Sequence, residues 1–159
     1  MPEIIITIDN KALRDAMAKA PAKVHSGIKN WVKETGYLAE RASKRILSDS
    51  VSIGSSGRTL NSIKTTNSVT GLESTVKPNL KSAYYTENGR RPGKMPPYKE
   101  GTDLASWSRR VGANPFLVAR AIGKKGTKGK KFMEKAYQEV KPIAERNGNQ
   151  MLSEIVRSI

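Results

Sequence analysis

Cysteine is absent from this chain, so disulfides and thiolate metal sites are excluded, which fits a reducing compartment. Histidine occurs once, as His25, with no carboxylate near it in sequence as a catalytic partner. It reads as a surface or half-buried helix residue rather than a base. Aromatic residues make up 6 % of the chain, so any core rests on Ile, Leu, Val, Ala and Met. Acidic residues are few, 14 against 29 Lys and Arg, and form no paired-carboxylate or Asp-rich metal pattern. The Gly-Lys pairs Gly93-Lys94, Gly123-Lys124 and Gly129-Lys130 lack the spaced second glycine and following hydroxyl of a phosphate loop. No enzyme activity, metal or cofactor is expected. Long apolar runs are missing as well. Runs such as Ile4–Ile6 are far short of a membrane span, and MPEIIITIDN lacks the basic and apolar regions of a secretory leader. The expectation is a soluble protein that stays where it is made and has no membrane partner.

What the chain does have is positive charge, unevenly spread. The formal net charge is +15, and the stretch from Gly89 to Lys135 holds 13 Lys and Arg against 3 Asp and Glu, carrying +10 of it. Such a field favours an anionic partner: nucleic acid, a membrane surface or an acidic protein face. With 159 residues and 36 % hydrophobic content, one domain with a modest core is the expected size of structure.

Hydrophobic periodicity sets out the elements. Glu3–Ile8 is β-branched and ends at Asp9-Asn10, a short strand. Asn10 caps a helical face of Leu13, Ala16, Met17 and Ala20 that stops at Pro21. Val24, Ile28, Trp31, Thr35, Leu38, Ala42 and Ile46 then recur at spacings of three and four, predicting a long helix from about Ala22 to Leu47. Gly36 within it offers a place for a neighbour to approach closely. Residues 48–58 are Ser/Gly-rich and read as a flexible loop. Thr59–Val69 and Leu72–Lys77 flank Thr70-Gly71 as a β-hairpin, and Leu80–Glu87 reads as one more strand with Tyr84 and Tyr85 on opposite faces. The class is α+β: a small, mostly antiparallel sheet packed against a long helix, with further helices toward the C-terminus.

Past that sheet, residues 89–101 form a Pro/Gly/Arg loop. Thr102 or Asp103 caps a helix with Leu104, Trp107 and Val111, ended by Gly112. Asn114-Pro115 caps a second with Phe116, Leu117, Ala119 and Ile122, ended by Gly123. Trp107 and Phe116 fit the apolar faces of their helices and read as core. Residues 123–131 are too rich in Gly and Lys to fold locally and read as a hinge. Phe132 opens a last helix with Ala136, Val140 and Ile143 on one face, a kink expected at Pro142 and an end or bend at Gly148. Met151, Leu152, Ile155, Val156 and Ile159 prolong the stripe, docking at home or on a neighbouring subunit.

Lys124, Lys125, Lys128, Lys130 and Lys131 with their glycines suit a phosphate backbone, and Tyr84, Tyr85, Tyr98 and Trp107 are candidate stacking surfaces. The aromatics do not interleave with the lysines, however, and no helix-turn-helix, zinc or RNA-binding signature is present. Nonspecific contact with nucleic acid is compatible with this pattern. Base reading is not.

The order of signals resembles a family of phage proteins. Gly57, Leu60, Ser62 and Ile63 answer a Gly-x-Leu-x-x-Ser-Ile segment that follows a long helix. Ala83, Tyr85, Glu87 and Gly89 answer a Tyr-Ala-x-Tyr-Val-Glu-x-Gly-Thr strand end. Pro96, Pro97 and Tyr98, then Leu104 and Trp107, match a proline-rich loop and the helix after it. Ala119, Ala121, Ile122, Lys125, Gly126, Thr127, Lys128 and Phe132 match the closing block. Over Val24 to Ala136 the chain is similar to the neck or minor tail-component (tail-completion) proteins of long-tailed double-stranded DNA phages. It departs from them in carrying two residues, Arg58 and Thr59, before Leu60, and Ser82, Thr86 and Arg90 where Tyr, Val and Thr stand. The resemblance implies a structural protein of the virion, assembled in the host cytoplasm and placed at the head–tail joint or upper tail. It also implies a homo-oligomeric ring, with sixfold symmetry as the expectation, and other head–tail connector and tail proteins as partners. The residues expected at an assembly or DNA-facing surface are Arg90, Arg91, Lys94, Pro96, Pro97, Tyr98, Lys124, Lys125, Gly126, Thr127, Lys128, Lys130 and Lys131.

Overall fold

The computed structural model describes residues 3–7, 22–50 and 57–157. The elements in chain order are β1 (Ile4–Thr7), α1 (Ala22–Ser50), α2 (Arg58–Asn61), β2 (Ile63–Asn67), β3 (Glu73–Pro78), α3 (Lys81–Asn88) and β4 (Gly89–Arg90). They continue with α4 (Asp103–Arg110), α5 (Pro115–Lys125), β5 (Thr127–Lys128) and α6 (Phe132–Arg157). The class is α+β, as expected. The helix expected over 11–20 lies outside the described residues.

The spine is α1, and it is buried on two sides: α6 packs along one, and β2 and β3 lie across the other. Of the expected stripe Val24, Ile28, Thr35 and Ala42 are buried, and Val32, Ala39, Ser43 and Leu47 beside them are buried too, so the inward face is wider than the periodicity expected. Trp31, Leu38 and Ile46 are only half-buried. Truncating a fully enclosed residue such as Leu47 to Ala removes about 2–5 kcal/mol. The helix also runs three residues past the expected Leu47. Serine does not break it, because Ser43 Oγ donates to the Ala39 carbonyl at 2.7 Å and Ser50 Oγ to the Leu47 carbonyl at 3.0 Å. Of the expected loop over 48–58, then, 48–50 are helical, Arg58 opens α2, and 51–56 lie outside the described residues.

The sheet has the order β1-β3-β2, antiparallel throughout, with Val76 opposite both Ile4 and Thr65. Ser74, Val76 and Pro78 alternate inward from the central strand. Gly36 is a close approach of α1 to the sheet: a Cβ there would lie 2.1 Å from Ser74 Oγ and 2.9 Å from Thr65 Cγ2, so a side chain has to displace both. One turn on, Glu40 covers β2. Its Oε2 accepts the Thr65 N–H at 2.8 Å and the Thr65 hydroxyl at 2.6 Å, while Lys44 Nζ lies 2.5 Å from Oε1. Burial by itself would raise the Glu40 carboxyl pKa. The Lys44 and Thr65 hydrogen bonds outweigh it and hold the group below the ordinary glutamate value.

Residues 59–61, expected within the first hairpin strand, belong to the helical turn α2, and the strand starts only at Ile63. Residues 80–87 are not a strand but the helix α3, with Ala83 and Glu87 pointing inward four residues apart, and Tyr84 and Tyr85 meeting edge to face at 5.7 Å. Pro78 closes β3, since it has no N–H to continue the ladder. Gly148 does not end the last helix: α6 continues through both Pro142 and Gly148. The glycine makes room for Trp31, whose ring would be 2.9 Å from a Cβ there, and Trp31 Nε1 donates to the Ala144 carbonyl at 3.1 Å. Met151, Leu152 and Ile155 dock at home, against Val24, Ile28 and Val32.

Candidate functional site

The two basic stretches, separated in sequence by α4 and α5, are joined in space. β4 and β5 pair antiparallel, Gly89 opposite Lys128 and Arg90 opposite Thr127. Three glycines permit this contact of backbone with backbone. A Cβ on Gly126 would lie 2.2 Å from the Arg90 carbonyl oxygen, one on Gly89 2.3 Å from that of Thr127, and one on Gly129 2.3 Å from that of Glu87. The Lys130 N–H donates to the Thr86 carbonyl at 2.7 Å and the Lys131 N–H to the Glu87 carbonyl at 3.2 Å. The Glu87 carboxylate, buried, accepts the first N–H groups of α6 from Met133 and Glu134.

Residues 123–131 are therefore not a hinge. Lys124 and Lys125 end α5, Gly126 caps it, Thr127 and Lys128 form β5, and the next residues are tied to α3. Composition misled because glycine here serves close approach rather than freedom.

The 89–101 loop folds back onto the same place. The Gly93 N–H donates to the Gly123 carbonyl at 2.7 Å. Arg90 Nη2 donates to the Lys94 carbonyl at 2.9 Å, with the guanidinium 5.3 Å from the centre of the Tyr85 ring. Beyond it Pro96 is half-buried and Pro97 exposed, and half-buried Tyr98 meets Phe116 edge to face at 5.5 Å. Arg91, Lys94, Lys124, Lys125, Thr127, Lys128, Lys130 and Lys131 are exposed, Lys131 with Glu134 at 3.5 Å.

Between the stretches stands the α4–α5 hairpin. Thr102 Oγ1 caps α4 by accepting the Ala105 N–H, and Asn114 Oδ1 caps α5 by accepting those of Phe116 and Leu117. The two helices pack chiefly on each other, with Ala105, Ser108 and Ala119 buried, while Gly123 is buried against Gly93 and Met95 of the 89–101 loop. Phe116 is consequently not core: it is 42 % exposed and Leu117 58 %, beside Met95 at 40 %. Trp107 is half-buried.

Behind the clip lies a groove of about 590 Å³. It runs from the end of α1 past α2, α3 and α4 to β5, with Leu47, Leu60, Tyr85 and Trp107 among its lining. Arg58, Arg110, Lys128 and Lys130 bring positive charge to it, and Asp103, paired with Arg58, the negative charge. Sequence reasoning picked out Lys128, Lys130, Tyr85 and Trp107 singly but missed Arg58, Arg110 and the groove itself. No local signal marks residues that meet only through the fold.

Among the described residues no three His, Cys, Asp or Glu cluster as a metal site would need, and no helix is long and apolar enough to cross a membrane. No protein-family model, curated protein or solved structure matches this chain.

Proposed function

We propose that the chain is a structural virion protein of a tailed bacteriophage or prophage, a neck or minor tail component. It acts in head–tail joining or tail completion through ring assembly with partner proteins. The observation that carries this reading is the β4–β5 clip. It makes one surface of two basic stretches that are far apart in sequence, the same stretches that carry the resemblance to the phage family. Met95, Phe116, Leu117, Tyr84 and Tyr85 are exposed as well, and the Arg90 guanidinium stands over the Tyr85 ring. Aromatic, Met and Arg side chains are the types enriched at subunit interfaces.

The test is electron microscopy of a lysate in which the gene has been deleted. Separate full heads and finished tails are the expected result. Joined, infectious particles would overturn the proposal.

A second reading, nonspecific nucleic-acid binding, is favoured by the exposure of Lys124, Lys125, Lys128, Lys130 and Lys131. It requires the isolated protein to retain DNA on a filter with a steep salt dependence, lost when these lysines become Gln. No retention at low salt removes it as a primary function.

A further inference from the structure

We propose that the groove between the end of α1, α2, α3, α4 and β5 receives an extended acidic segment of a partner protein. This inference rests on the assembly reading and names the chemistry of one partner.

Charge supplies the first ground. Four cations, Arg58, Arg110, Lys128 and Lys130, line the groove, and the Asp103 carboxylate among them already holds Arg58. Lys128 and Lys130 are exposed and have no carboxylate within ion-pair distance among the described residues. Like charges gathered on one concave wall repel each other, and a bound anion relieves that repulsion.

The hydroxyls supply the second. Thr59 and Ser82 bond each other at 3.0 Å, Thr86 Oγ1 donates to the Ser82 carbonyl at 2.9 Å, and Ser50 Oγ donates to the Leu47 carbonyl. These groups are satisfied within the chain and ask nothing of a ligand. What remains for an occupant is half-buried apolar surface at Leu60 and Trp107, with cationic side chains among the lining. That combination fits a peptide with carboxylates on either side of one large apolar side chain.

Nucleic acid fits less well. A duplex presents about one charge per 1.7 Å along its axis and rewards a long cationic track rather than one compact depression. Single strands need open aromatic faces on which bases stack. Tyr85 is already engaged, by the Tyr84 ring and by the Arg90 guanidinium.

The experiment is fluorescence anisotropy on the purified full chain, with a labelled peptide of glutamates flanking a central leucine. An oligothymidylate of equal charge is the comparison probe. The peptide should bind, more weakly as salt rises. Lys128→Gln with Lys130→Gln should weaken it about tenfold. Lys124→Gln with Lys125→Gln, the same charge change outside the groove, should leave it unaltered. Unchanged melting temperatures for both double variants make the comparison valid, and both pairs are exposed.

Equal loss in the two variants would mean diffuse charge and overturn the proposal. So would no peptide binding at low salt, or tighter binding of the oligothymidylate through Lys128 and Lys130. None of these touches the head–tail reading, which the deletion lysate decides. Joined particles in that lysate would remove the virion role while leaving peptide binding by the purified chain intact.

Discussion

The Glu87 carboxylate at the end of α3 accepts the Met133 N–H at 2.9 Å, across 46 positions of sequence, and so caps the helix that brings Phe132, Met133, Ala136 and Val140 to the core. Its other oxygen accepts the Glu134 N–H at 3.2 Å. Glu87→Ala leaves those N–H groups buried without an acceptor and removes a negative charge from a helix N-terminus. The expected cost is about 1–2 kcal/mol, read as a lower urea midpoint. A change within error would mean that water caps α6 equally well.

The clip depends on glycine for reasons of space. Gly126 has φ 70° and its Cβ would meet the Arg90 carbonyl at 2.2 Å, whereas Gly101, at φ 84°, has open space around it. Gly126→Ala should therefore lose about 1–3 kcal/mol and raise hydrogen exchange at Lys130 and Lys131. Gly101→Ala carries only the backbone penalty, about 1 kcal/mol, and leaves exchange at the clip unchanged. Equal effects would show that close approach is not what the glycine serves.

Acid should reach the α1–β2 contact through Glu40. Its folded pKa lies below the ordinary value, so its stabilising effect is complete above that value and is lost as pH falls through the folded one. Glu40→Gln should cost about 1–3 kcal/mol at neutral pH and flatten the acid side of the stability–pH curve. A parallel curve would remove Glu40 from the account.

Ser108 is fully buried in the α4–α5 hairpin, and its Oγ has no hydrogen-bond partner among the described residues. Ser108→Ala takes away an unsatisfied hydroxyl and should leave the melting temperature unchanged or raise stability by up to about 1 kcal/mol. A clear drop would reveal a bonded water.

Leu117 on the exposed face of α5 should tolerate Ser with a change under about 0.5 kcal/mol. The same substitution should shift the sedimentation profile of the assembled protein if this face is a subunit interface. A large loss of stability in the monomer would place Leu117 in a core instead.

Much of this architecture was legible from local pattern. The spacing from Val24 to Ile46 announced α1, Thr70-Gly71 between β-branched runs announced the hairpin, and Thr102 and Asn114-Pro115 announced the starts of α4 and α5. Each is a short-range signal whose physics acts within a few residues. The misreadings share a cause too. Residues 80–87 alternate well enough for a strand and became a helix because Ala83 and Glu87 find partners elsewhere in the fold.

The sequence by itself determined the class of the fold, its spine and the concentration of charge between Gly89 and Lys135. Tertiary structure alone decided that residues 123–131 are a helix end, a two-residue strand and a tied turn rather than a hinge, and that Lys128 and Lys130 share a groove with Arg58 and Arg110. Phe116 shows the same division. Periodicity put it on an apolar face, but whether that face is covered depends on what packs across it, which no local pattern records.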